Sequence, residues 1–161
     1  TAILSAVMLI IESKKLYQIQ YYVGLAAVIP ALLTPDISGY NFPHFAFFMF
    51  FIKHGGILTA IFYMRLINGY QPKFKAIGKA LLVLNMYLPV IEVVNWLTSG
   101  NYLYLEYKPP SPSLFDYLGN WPWYIINIEL IAAVLFIILY LVNLVIELNF
   151  NSYQDQEQVN N

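Results

Sequence analysis

The chain contains no cysteine, which removes disulfides, thiolate metal sites and a cysteine nucleophile from its 161 residues. Charge is also scarce. Asp, Glu, Lys and Arg make up 11% of the residues, against roughly 25% in an average soluble domain, so a water-soluble globule is a poor fit. The formal net charge is −1, which leaves no basic field for a nucleic-acid partner. Glycine-rich phosphate loops and Gly-x-Ser-x-Gly are absent, and the two histidines and scattered acids lack the spacing of a zinc motif. No metal and no cofactor is assigned. No basic segment with a small-residue cleavage site accompanies the first apolar run, so Thr1–Ile11 is not a signal peptide.

What is abundant is apolar surface. The chain is 60% hydrophobic and 17% aromatic, with a mean hydropathy of +0.61. These values predict an all-α, polytopic helical membrane protein with a transmembrane bundle over residues 1–148. Thr1–Ile11 is too short to cross a bilayer, which takes about 20 apolar residues, and it reads as the end of a truncated upstream helix. Four spans follow, over about 16–33, 44–67, 76–97 and 121–148. Polar turns separate them: Glu12–Lys15, the loop 34–43 with its turn formers Gly39, Asn41 and Pro43, and the break Asn68–Pro72. The long segment 98–120 is rich in proline and aromatic residues, and 149–161 is a polar tail expected to be disordered. Pro30 is expected to kink the end of the first complete span.

Basic residues set the expected orientation. Lys14, Lys15, Arg65, Lys73, Lys75 and Lys79 fall on one side with the tail, and Lys108 alone falls on the other. Positive charge collects in cytoplasmic loops. In a cell membrane the basic loop 68–79 and the C-terminus are then cytoplasmic, and loops 34–43 and 98–120 are extracellular.

The span that begins at His44 is dense in phenylalanine yet carries Lys53 and His54 side by side. His54 lies ten residues beyond His44, or about 15 Å, close to the midplane of a hydrocarbon core about 30 Å thick. An ionisable group at that depth is a candidate functional residue. Helical spacing aligns His54 with Phe47, Phe50, Phe51, Leu58 and Ile61, while Lys53 is turned about 100° away. Gly55 and Gly56 predict a close helix–helix approach beside it. On the next span Asn85, Glu92 and Asn95 share one stripe, which has to avoid lipid, and Glu129 lies early in the last span. His54, Glu92 and Glu129 are thus expected to converge in the outer half of the membrane, beneath the proline-rich loop. His54 and Glu92 are the candidate catalytic pair, a general base and its orienting carboxylate. Lys108, Asp36, Asn101 and Glu129 are the candidate substrate-binding residues. The alternatives are a histidine hydrogen-bonded to a neighbouring helix, and a Lys53 paired with Glu92 or Glu129. Tyr102, Tyr104, Tyr107, Trp121, Trp123 and Tyr124 read as an interfacial aromatic belt.

Eight phrases in order carry a resemblance: Leu33-Thr34-Pro35-Asp36, Phe42-Pro43-His44-Phe45-x-Phe47-Phe48, His54-Gly55, Gly69-Tyr70-x-Pro72, Gly100-Asn101-Tyr102-x-Tyr104-Leu105, Lys108-Pro109, Ser113-Leu114-x-Asp116-Tyr117-Leu118-Gly119 and Trp121-Pro122-Trp123-Tyr124. With this spacing the chain, from about Leu25 to Leu148, resembles the YwaF family of bacterial integral membrane proteins, which is related to vertebrate transmembrane protein 164. The resemblance implies about seven spans, some upstream of these. It also implies phospholipid acyl transfer, with a histidine at the position of His54 and a cysteine whose place falls just before Thr1. Membrane lipids, including an acyl-lipid substrate, are the expected partners. Two other functions stay open on the residues alone: a transporter or proton-path protein using Lys53, Glu92 and Glu129, and a non-catalytic membrane partner subunit.

Overall fold

A backbone in hydrocarbon has to satisfy its own polar groups, and each apolar run of this chain does so by closing into a helix. The computed structural model describes residues 1–35, 37, 39–109 and 114–160, and the side chains of these except 114, 151 and 153–160. Among them every regular element is helical: α1 (Ala2–Ile10), α2 (Lys14–Ile19), α3 (Leu25–Leu33), α4 (Phe45–Leu66), α5 (Lys75–Thr98) and α6 (Trp123–Asn160). A π-helical turn, Gln20–Gly24, joins α2 to α3, so that Lys14–Leu33 forms one rod. Among the described residues four helices are long and apolar enough to cross a membrane: that rod, Phe45–Leu66, Lys75–Thr98 and Trp123–Phe150.

Capping chemistry sets the starts. Ser13 accepts from the Leu16 N–H at 3.3 Å and opens α2 ahead of its lysines. His44 caps α4, its Nδ1 accepting from the Ala46 N–H at 3.1 Å while its ring stacks on Tyr40. Below Pro30, Thr34 returns both its N–H and its hydroxyl to the Pro30 carbonyl and closes α3. The polar tail differs from its expected disorder. Helix α6 runs on through it to Asn160, because extending an existing helix needs no new nucleus.

The core gathers at one end. Met8, Tyr17, Tyr22, Val28, Ile61 and Phe136 are buried together, joined by Ile57 and Met64 of α4 and by Ala76 and Ala80 of α5. These α4 residues come from the second half of their helix and the α5 residues from the first half of theirs. Packing is therefore densest toward the end that carries the lysine turns, called here the lysine end; the opposite one is the aromatic end. In lipid, close packing replaces the hydrophobic drive, so small residues at contacts matter. A tight contact between helical segments is at Gly24 in the π turn, where an added Cβ would lie 2.9 Å from Ile61 Cδ1. Gly55 and Gly56 do not serve this purpose: a Cβ on either would meet nothing within 4 Å among the described residues. The close approach expected at Gly55 and Gly56 is found at Gly24 instead, because the face a helix presents to a neighbour depends on its rotation in the bundle.

Polar side chains tie the bundle together. Gln20, fully buried by the π turn, donates to the Thr1 carbonyl and to Ser5 Oγ, holding α1 on the rod. Tyr21 donates to the Leu139 carbonyl of α6 at 3.2 Å, and Arg65 Nε donates to Asn143 Oδ1 at 2.9 Å.

Candidate functional site

Toward the aromatic end, α5 and α6 diverge enough to leave a cavity of about 380 Å³ roofed by the segment after α5. Its walls are apolar, from Leu84 and Leu88 on α5 and from Ile125, Ile128 and Ala132 on α6. One polar pair interrupts them. Asn85 Nδ2 donates to Glu129 Oε1 across the helices and also to the Leu81 carbonyl at 3.0 Å. A carboxylate in a largely apolar span, held by an amide from the facing helix, is placed as a functional group is placed.

The roof is built from backbone held in a costly shape. Leu103 and Tyr104 have φ of 60° and 54°, the left-handed region, at about 1–2 kcal/mol for each non-glycine residue. Two anchors hold them. Asn95, fully buried, accepts from the Tyr102 N–H at 2.7 Å and donates to the Tyr102 carbonyl at 3.2 Å. Tyr124, buried to 1%, donates its hydroxyl to the Tyr104 carbonyl at 2.6 Å. Phe115 stacks edge-on to both tyrosine rings, and Trp121 Nε1 donates to the Leu105 carbonyl. Strain of this kind persists only where surrounding contacts over-determine it, and such places cluster at binding sites.

His54 has different surroundings. Its Nδ1 lies 2.7 Å from the Phe50 carbonyl, one turn back on α4, and its ring tilts over the Phe50 ring at 4.2 Å. A carbonyl oxygen can only accept, so Nδ1 carries the proton, and in the neutral ring the Nε2 lone pair is left for a second partner. The orienting acceptor is thus the Phe50 carbonyl rather than Glu92. The side chain of Glu92 is exposed and has no hydrogen-bond partner among the described residues.

The expected convergence of His54, Glu92 and Glu129 is replaced by a different grouping. Neither His54 nor Glu92 lines the cavity that contains Glu129. Lys53 is exposed, and no ion pair joins it to Glu92 or Glu129 among the described residues. Lys108 sits by the roof, its ammonium 5.8 Å from the Tyr124 ring centroid. Asn101 is occupied by the roof itself, donating to the Tyr107 carbonyl at 2.6 Å and accepting from the Glu106 N–H at 3.1 Å. Asp36 lies outside the described residues. From the sequence, Asn95 belongs to a polar stripe that has to avoid lipid and Tyr124 to the interfacial belt. The signal for Asn95 is the polar stripe it shares with Asn85 and Glu92 on a largely apolar helix, a stripe that needs partners inside the protein.

Chemically, the molecule offers a largely apolar pocket with one carboxylate–amide pair, and separately a histidine whose Nδ1 is held on the Phe50 carbonyl. No group of three or more His, Asp or Glu side chains able to hold a metal occurs among the described residues. No curated protein and no solved structure matches the chain. Residues 1–140 match the TMEM164 family. Its four apolar spans and this match together establish that the chain is an integral membrane protein belonging to the TMEM164 family.

Proposed function

We propose that this protein is a membrane-embedded, lipid-modifying enzyme of the phospholipid acyl-transfer type, with His54 as general base. The observation that supports it is the Nδ1–H of His54 held on the Phe50 carbonyl, which presents Nε2 as a proton acceptor inside an apolar span. In the proposed step Nε2 takes the proton of a thiol or hydroxyl nucleophile. The nucleophile attacks the ester carbonyl of a phospholipid, and the leaving alkoxide takes the proton back as the tetrahedral intermediate collapses. The apolar-walled cavity at Asn85 and Glu129 is suited to hold an acyl chain, while the ester carbonyl that reacts has to lie outside it, within reach of His54, which does not line it. Lys108, at the rim, is the group that would meet a phosphate. In this reading the lysine end is cytoplasmic and the aromatic end faces outward, following the positive-inside rule.

The test is the acyl-phospholipid profile of cells overproducing the protein in its natural full length, compared with His54→Ala and His54→Gln. A general base at this position predicts at least about a hundredfold loss of the profile change in both variants at equal protein level. A profile change that survives His54→Ala overturns the proposal.

A further inference from the structure

At the opposite end from the candidate site, a second and larger cavity of about 920 Å³ opens between α2, the loop after α4 and the start of α5. Five lysines line it: Lys14, Lys15, Lys73, Lys75 and Lys79. Among the described residues no acidic side chain lines it. The nearest acid in sequence, Glu12, presents its backbone carbonyl to the Tyr70 hydroxyl at 2.8 Å. Arg65, the remaining basic residue of this end, is turned away onto Asn143.

Like charges gathered without acids repel one another, so the loop that carries part of the cluster has to be held by other bonds. Gln18 of α2 donates to the Gln71 carbonyl at 2.6 Å and accepts from the Lys73 N–H at 2.8 Å. Tyr22 donates to the Lys73 carbonyl at 3.0 Å. The Lys14 ammonium lies 5.2 Å from the Tyr70 ring centroid. The loop is thus strapped to α2 through its backbone, and the ammonium groups are left to face a ligand.

From these features we infer that this cavity is a binding site for the phosphate headgroup of an anionic membrane phospholipid, distinct from the cavity at Glu129. The membrane, rather than free solution, supplies the phosphate because of where the lysines stand. Lys14 and Lys75 are the first residues of two membrane-crossing helices, which puts the cluster at headgroup level. Below the lysines the lining turns apolar, through Ile19, Ala76, Leu82 and Val83, as a lipid entering its chains into the bilayer requires. The volume falls within the range of a small-ligand site.

Each lysine near a headgroup is worth about a fivefold change in lipid affinity. The test is native mass spectrometry of the full chain in neutral detergent, titrated with phosphatidylglycerol and with phosphatidylcholine of the same acyl chains. The expected result is saturable retention of phosphatidylglycerol, preferred over phosphatidylcholine by at least about tenfold. The triple variant Lys73→Gln, Lys75→Gln, Lys79→Gln should lose roughly a hundredfold of that affinity, whereas Lys53→Gln should lose none. If the triple variant does not give a folded, monodisperse protein, Lys79→Gln alone should show the single fivefold step. Equal retention of the two lipids, or a preference that survives the lysine substitutions in folded protein, overturns the inference. So does displacement of phosphatidylglycerol by equimolar inorganic phosphate at constant ionic strength, which would make this a site for a soluble anion. The measurement needs no turnover, so it stands or falls independently of His54.

Discussion

Asn95 offers the sharpest test of how the candidate cavity is made. Its side chain pairs with both the N–H and the carbonyl of Tyr102, and in Asn95→Leu, a change close in volume, both are abandoned. An unsatisfied buried polar group costs about 1–3 kcal/mol. The Tyr102 side chain is 56% exposed, so water can reach the abandoned backbone groups if the roof shifts. The expected global loss is therefore about 1–3 kcal/mol for the pair together. For a chain of this size that is a fall of roughly 2–12 °C in the unfolding midpoint in detergent. The larger effect is local. Leu103 and Tyr104 together carry about 2–4 kcal/mol of left-handed backbone cost, and Asn95→Leu removes one of their two buried side-chain anchors, leaving Tyr124 with the Phe115 ring and the Trp121 bond to Leu105. The roof then relaxes while α5 stays helical. Hydrogen exchange followed by mass spectrometry should show segment 99–107 exchanging at least about tenfold faster in Asn95→Leu, with peptides from 75–94 unchanged. Asn95→Asp keeps the acceptor for the Tyr102 N–H and should fall between the two. Unchanged exchange over 99–107 in Asn95→Leu would refute the idea that this side chain supports the roof.

Two further outcomes follow from contacts elsewhere. Gly24→Ala puts a methyl 2.9 Å from Ile61 Cδ1 in a buried contact and should lower stability by about 1–2 kcal/mol, and adding Ile61→Val, which removes that atom, should restore most of it in thermal unfolding. Glu129→Gln keeps an acceptor for Asn85 and should stay within about 1 kcal/mol of the parent, whereas Glu129→Ala should lose about 1–3 kcal/mol; equal losses would show that charge, and not the hydrogen bond to Asn85, holds the helices there.

Much of the architecture was legible in the linear chain because the property that decides it is local. A run of apolar residues long enough to cross a membrane, such as the one that ends at Asn68–Pro72, becomes a membrane-crossing helix whatever its neighbours are. The separation of basic and aromatic ends is local in the same sense. So is the environment of His54, whose acceptor is the carbonyl one turn back on its own helix, although the sequence suggested a carboxylate for that role.

Tertiary structure alone decided which polar groups meet. Asn85 finds Glu129 and Arg65 finds Asn143 across long stretches of chain. The choice depends on how far each helix is rotated in the bundle. A helix that is apolar on all sides carries no face pattern from which that rotation can be read. The π turn at Gln20–Gly24 belongs to the same category: it buries Gln20 and brings Gly24 against Ile61, while Gly55 and Gly56 are left in open space. Residue types alone determined that the chain crosses a membrane. The fold determined that Glu129 lines the aromatic-end cavity while His54 stands apart on α4, and that five lysines share one pocket. Those groupings are contacts between distant segments, and only packing specifies them.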